Sequence, residues 1–154
     1  LWVTLALITS RALIKASSAA RIWAGFVSAV VSRVSSSGTG IGSAIIHRGA
    51  LVPNSELGHL EIDGYDAEKR AAASVRTREG LSWEDYIPRL QRYYETVEFL
   101  FSPDLMVVGG GVSKKADKFL PQLKLRTPIV PAVLQNRAGI IGAACLAVEK
   151  VAQN

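Results

Sequence analysis

Two short glycine clusters, Gly38, Gly40 and Gly42 and then Gly109, Gly110 and Gly111, mark places where this 154-residue chain could handle phosphate. Glycine turns at strand ends let backbone N–H groups approach a phosphate, because no Cβ intervenes and the turn can form a nest. Neither cluster follows the Walker pattern or the dinucleotide fingerprint, and each alone reads first as a tight turn. Between them, NSELGHLEIDG sets Glu56 and His59 on either side of Gly58. A carboxylate accepts hydrogen bonds from two neighbouring hydroxyls and an imidazole both donates and accepts, so the pair suits a vicinal diol on a sugar. The plainer alternative is a surface turn whose acid and imidazole face water. Lys114, Lys115 and Lys118, with Arg126 and Arg137 beyond them, would suit a long polyanion, or form an ordinary solvated face. A metal site is disfavoured: the other histidine is His47, and the single cysteine, Cys145, falls in a predicted buried helix.

The elements that must position these residues read as α/β. AVVSRV within Ala29 to Val34 alternates and could feed the first glycine cluster as a strand, and SAIIHRGALV reads as a β-hairpin around Arg48 and Gly49. Asp66 is placed to cap a helix through AEKRAAASVR. Ser82 and Asp85 form a capping box, behind which Trp83, Tyr86, Ile87, Leu90, Tyr93, Tyr94, Val97 and Leu100 recur at helical spacing until Ser102 and Pro103. That aromatic stripe reads as core and not as a base-stacking platform. Leu105 to Val108 is a short buried strand ended by the second glycine cluster. Ser113 starts a helix halted by Pro121, Ile129 to Leu134 is a further strand, and Gly139 to Val151 a closing helix of small residues.

Composition excludes several classes. The chain is 49% apolar and 20% charged, within the globular range and unlike a disordered chain. One cysteine excludes an intramolecular disulfide framework, so a cytoplasmic setting is expected. No apolar run approaches the roughly 20 residues that cross a bilayer, so no membrane association is expected. The net charge of +5 is unevenly spread. Residues 1–37 carry Arg11, Lys15, Arg21 and Arg33 and no acid, whereas residues 38–154 hold 14 basic against 13 acidic residues. A nucleic-acid binder spreads its cations over a face or helix, so that function is disfavoured. The basic, Ser- and Ala-rich segment 1–37 has three readings: a transit peptide, a basic surface helix, or coding sequence read across a wrong frame or boundary. The third is preferred here, and the domain proper is set at 38–154.

Taken together, GTGIGSAIIHRG, VPNSELGHLEIDGYDAEKRAAASVR, FSPDLMVVGGGVSKKADKFLP, LRTPIVPAVLQN and AGIIGAA resemble the polyphosphate glucokinases, within the larger family of repressor, open-reading-frame and kinase (ROK) proteins. The resemblance runs from about Gly38 to Ala147. It implies the actin-like, ribonuclease H-like fold of two-lobed sugar kinases, here a carboxy-terminal lobe without its amino-terminal partner. It also implies phosphoryl transfer from polyphosphate or ATP, with Mg²⁺ and without zinc, to the 6-hydroxyl of glucose, by subunits that pair as homodimers. On this resemblance Gly38, Thr39 and Gly40 cradle the transferring phosphates, and Gly109, Gly110 and Gly111 with Lys114 and Lys115 line the donor groove. Glu56 and His59 hold glucose hydroxyls, and Glu68, with Glu61 as runner-up, takes the place of a third sugar-binding glutamate.

Part of the family pattern is missing. An acidic, glycine-rich first phosphate motif and an Asn-Asp pair whose Asp removes the hydroxyl proton are expected from an amino-terminal lobe, and residues 1–37 contain neither. Such a base contributes on the order of 10² to 10⁴ in rate, so a truncated lobe, inactive alone, is expected. The alternatives are a sugar-sensing regulator of the same superfamily and a catalytically dead remnant.

Overall fold

The computed structural model describes residues 28–34, 40–48 and 50–133, with side-chain surroundings for 40–48 and 52–133. Among them the strands are β1 (Ser28–Val34), β2 (Ile41–His47), β3 (Ala50–Val52), β4 (Glu61–Ile62), β5 (Tyr65–Asp66), β6 (Leu105–Gly109) and β7 (Ile129–Pro131). The helices are α1 (Glu68–Ala71), α2 (Ala73–Arg78) and α3 (Trp83–Phe101), followed by 3-10 segments at Gly111–Lys118 and Leu120–Gln122. The expected closing helix, Gly139 to Val151, lies outside the described residues.

Five strands form one sheet in the order β3-β2-β1-β6-β7. The alternating AVVSRV stretch is a strand, β1, antiparallel to β2 and parallel to β6, so a piece of the 1–37 segment sits mid-sheet. SAIIHRGALV forms the β2-β3 hairpin, pairing Ile45 with Val52 and His47 with Ala50. β6 is buried along its whole length, as its continuous LMVV run requires of a strand with parallel neighbours on both sides. Against it pack Tyr86, Leu90, Tyr93, Tyr94 and Val97 of α3, together with Phe119. The aromatic stripe is therefore core, and Trp83 stacks on Phe119 with ring centroids 5.8 Å apart.

α3 begins where the capping box placed it, with the Asp85 N–H donating to Ser82 Oγ at 3.1 Å. It ends at Ser102, whose left-handed backbone (φ 40°) turns the chain toward Pro103. Three expectations need correction. The helix through AEKRAAASVR is two helices, because Ala72 is extended (ψ 145°) and the Ala71 carbonyl accepts the buried Tyr86 hydroxyl at 2.7 Å. The segment after the glycines is a 3-10 helix starting at Gly111, two residues early, because the Ser113 hydroxyl and N–H both close back on the Gly110 carbonyl. The last strand is shorter than expected, ending at Pro131.

One buried carboxylate ties α3 to the approach to β7. Glu98 accepts the Thr127 N–H at 2.6 Å and an exposed Arg126 at 3.3 Å. Burial pushes its carboxyl upward, but the hydrogen bonds from Thr127 and Arg126 outweigh that and hold it below the ordinary value of 4.5. Its stabilising contribution is thus present above pH 4.5 and lost as pH falls through the lower folded value. Glu98→Ala strands the buried Thr127 N–H and is expected to cost about 1–3 kcal/mol. Glu98→Gln keeps an acceptor and loses only the exposed ion pair, a cost under about 1 kcal/mol. Urea unfolding of both variants beside the parent at neutral pH checks the magnitudes, and the gap between the parent and Glu98→Gln should close as pH falls through the lowered Glu98 value.

Candidate functional site

The sheet register brings Gly40 and Gly42 of the first glycine cluster to the same end as the second cluster. Arg33 of β1 is level with Gly109, and Val34 is level with Ile41. Ile41 and Gly109 therefore sit on either side of β1, roughly 10 Å apart at two strand spacings. Gly38 and Thr39 lie outside the described residues, and Gly40 leads into β2 with φ +29°. Gly110 (φ 80°) turns the chain out of β6. The lysines that follow, Lys114, Lys115 and Lys118, are exposed, while Val112, Ser113 and Ala116 face inward.

The Glu-Leu-Gly-His bend docks on the same end of β2. The Leu57 N–H donates to Ser43 Oγ at 2.7 Å, and the Gly58 N–H to Glu56 Oε1 at 2.9 Å. A Cβ on Gly58 would collide with the backbone carbonyl of Ile41, so only glycine permits this approach. Glu68 arrives from α1: its N–H donates to the Gly58 carbonyl at 2.9 Å, and its Oε2 accepts the Ile41 N–H at 3.2 Å. The Glu68 carboxylate lies against Gly40, where a side chain would collide with it. Glu56, His59, Glu68, Gly40 and the turn after β6 thus gather at one sheet end. Glu61, the runner-up, is exposed on β4 and pairs across to Asp66.

A residue that sequence reasoning treated only as a helix cap belongs here too. Asp66 Oδ2 takes His59 Nδ1 at 3.1 Å, while Oδ1 accepts the Glu68 N–H at 3.1 Å. The signal for it was Asp63-Gly64, both at positive φ, a two-residue hairpin turn that folds β5 back beside the bend. The hydrogen bond to Asp66, then the charges of Asp66, Glu68 and Glu56, raise the exposed His59 above its ordinary 6.5. For Asp66, burial pulls upward but is outweighed by the bonds from His59 and the Glu68 N–H, and the carboxyl is lowered. Among the described residues His59, Asp66 and Glu68 are the group able to converge on a cation, with donor atoms within 4.8 Å of one another.

A cleft of about 220 Å³ between the β4-β5 hairpin, α1 and α3 contains none of the candidate residues. Its arginines are engaged: Arg92 with Asp63 at 2.7 Å, Arg89 with Glu79 at 2.9 Å, and Arg70 over the Tyr65 ring.

No family model matches the chain. The described residues share the actin-like fold of the ROK sugar kinases and span only part of it. The chain superimposes on an inorganic polyphosphate/ATP-glucomannokinase from Arthrobacter sp. strain KM with a TM-score of 0.81 and 52% identity, covering 97% of this chain and 55% of that one. A ROK family glucokinase from Streptomyces griseus, solved with glucose and AMPPNP, shares the fold at a TM-score of 0.65 and 17% identity, over 81% of this chain and 62% of that one. Within that class the chain is a sequence relative of the polyphosphate glucokinases. It is 51% identical over 111 residues to the one from Mycobacterium tuberculosis (strain CDC 1551 / Oshkosh), a match covering 72% of this chain. The chain spans 42% of the length of that relative. Among the described residues no helix is long and apolar enough to cross a membrane.

The contacts at glycine predict a graded series. Gly58→Ala, facing immovable backbone, is expected to cost about 1–3 kcal/mol. Gly42→Ala, whose Cβ meets nothing within 4 Å, should stay within about 0.5 kcal/mol. Thermal and urea unfolding of the two variants beside the parent chain measure the difference.

Proposed function

We propose that residues 38–154, with β1 completing the sheet, form the sugar-holding and donor-holding lobe of a glucokinase that uses polyphosphate or ATP. Glu56, His59 and Glu68 hold glucose hydroxyls. The backbone N–H groups around Gly38, Thr39 and Gly40 and around Gly109, Gly110 and Gly111 receive donor phosphates, and Lys114 and Lys115 attract the trailing polyanion. The observation that carries this reading is Glu68 seated on Gly40 and Ile41: one carboxylate joins the sugar bend to the phosphate turn, as transfer between adjacent ligands requires.

The chemistry divides between the ligands. Carboxylates accept from sugar hydroxyls in charge-assisted hydrogen bonds, which fix the ring's orientation and leave one hydroxyl facing the donor. The glycine turns and lysines neutralise charge on the phosphates, the main requirement of phosphoryl transfer. The His59, Asp66 and Glu68 group does not fit Mg²⁺, which prefers an octahedral shell of oxygens, since one donor is a nitrogen already bonded to Asp66. The ion would enter on the donor's own phosphates. No acid precedes Glu56 in the sequence, so residues 1–55 hold no carboxylate base for the attacking hydroxyl. The reading carries with it a homodimer of the intact enzyme in the cytoplasm.

Isothermal titration of the 154-residue chain with glucose tests the proposal. Binding is expected, weakened about tenfold or more in Glu56→Ala and His59→Ala, as loss of a charge-assisted hydrogen bond implies. Coupled assays for glucose 6-phosphate, with polyphosphate or ATP and Mg²⁺, are expected to stay at the no-protein baseline. A chain that is folded by circular dichroism yet takes up no glucose would sink the reading.

A further inference from the structure

We propose that Asp66 is a positioning residue, which sets the tautomer of His59 so that its Nε2 meets the sugar as a hydrogen-bond acceptor. The inference rests on the sugar-holding reading above and adds a residue to it.

Asp66 uses its two oxygens on two different candidate residues. Oδ1 accepts the Glu68 N–H and Oδ2 faces His59 Nδ1, each at 3.1 Å. Glu68 Oε1 stands 3.8 Å from the same Nδ1, and its other oxygen is committed to the Ile41 N–H. An ionised carboxylate only accepts, so the neutral imidazole must carry its proton on Nδ1. Nε2 is then the unprotonated nitrogen, on the ring edge away from Asp66, and His59 is exposed enough to offer it to a ligand. A sugar hydroxyl at this nitrogen donates to His59, while its neighbours donate to the flanking carboxylates.

The charged and titratable groups around the ring are Asp66, Glu68 and Glu56, all of which favour its protonated form. Protonation would place a hydrogen on Nε2 and remove the acceptor. Glucose affinity should therefore rise as pH climbs through the elevated His59 value, and fall below it.

Asp66→Asn separates this role from a structural one. The Glu68 N–H keeps the amide oxygen at the Oδ1 position, which turns the NH₂ toward Nδ1. That nitrogen must then accept, and the proton moves to Nε2. Long-range ¹H–¹⁵N spectra of the 154-residue chain above the His59 titration should show Nδ1 protonated in the parent and Nε2 protonated in Asp66→Asn. Glucose affinity should drop about tenfold in Asp66→Asn, in line with exchanging an accepted bond for a donor clash. In a His59→Ala background the same substitution should change affinity little, since coupled residues are not additive. A parent His59 protonated on Nε2, a tautomer unmoved by Asp66→Asn, or an effect that persists in full without His59 would overturn the proposal. Tautomers that behave as stated in a chain that binds no glucose would instead overturn the sugar reading and leave the hold of Asp66 on His59 standing.

Discussion

Two close approaches at glycine hold the candidate site together: Gly58 against the carbonyl of Ile41, and Gly40 against the carboxylate of Glu68. Both converge on the first residue of β2. Ile41 is buried and locked in the sheet ladder, so it cannot retreat from either neighbour. A Cβ at Gly58 would push the bend off the strand. The Leu57 N–H would then leave Ser43, and Glu68 would lose the carbonyl that orients its backbone. Hydrogen bonds weaken steeply with distance and angle, so a small outward shift would disperse the cluster.

The same packing explains how several acids share a small space. Glu56, Asp66 and Glu68 surround one imidazole. Each carboxylate is compensated locally: Glu56 by the Gly58 N–H, Asp66 by the Glu68 N–H, and Glu68 by the Ile41 N–H. His59 supplies the remaining donor to Asp66. The free lone pairs that are left make the cluster an acceptor-rich surface, the complement of a polyol. The exposed lysines after Gly111 provide the opposite charge at the turn beyond β6.

Much of the fold was legible because its signals are local. The hydrophobic period from Trp83 onward, the Ser82 cap and the Ser102-Pro103 stop define α3 without reference to anything distant. The LMVV run followed by glycines defines β6 in the same way. What misled was competition from tertiary partners. AEKRAAASVR has every local reason to be one helix, yet the Tyr86 hydroxyl, fifteen residues away, takes the Ala71 carbonyl and the helix divides. Asp66 reads as a cap, but the N-cap position is Ala67, and Asp66 accepts the Glu68 N–H from one residue before it. Its second oxygen finds His59 only because Asp63-Gly64 reverses the chain between them.

The sequence by itself determined which residue types were available: glycines where backbone must come close, a Glu and a His flanking one of them, lysines after another. It also determined the helices and strands that carry them, since periodicity and caps act over a few residues. Only the tertiary structure decided that Ile41 is the meeting point, that Glu68 and not Glu61 reaches the glycine turn, and that Asp66 belongs with His59. Those outcomes depend on strand register and on which backbone can touch which, and they arise between segments that lie far apart along the chain.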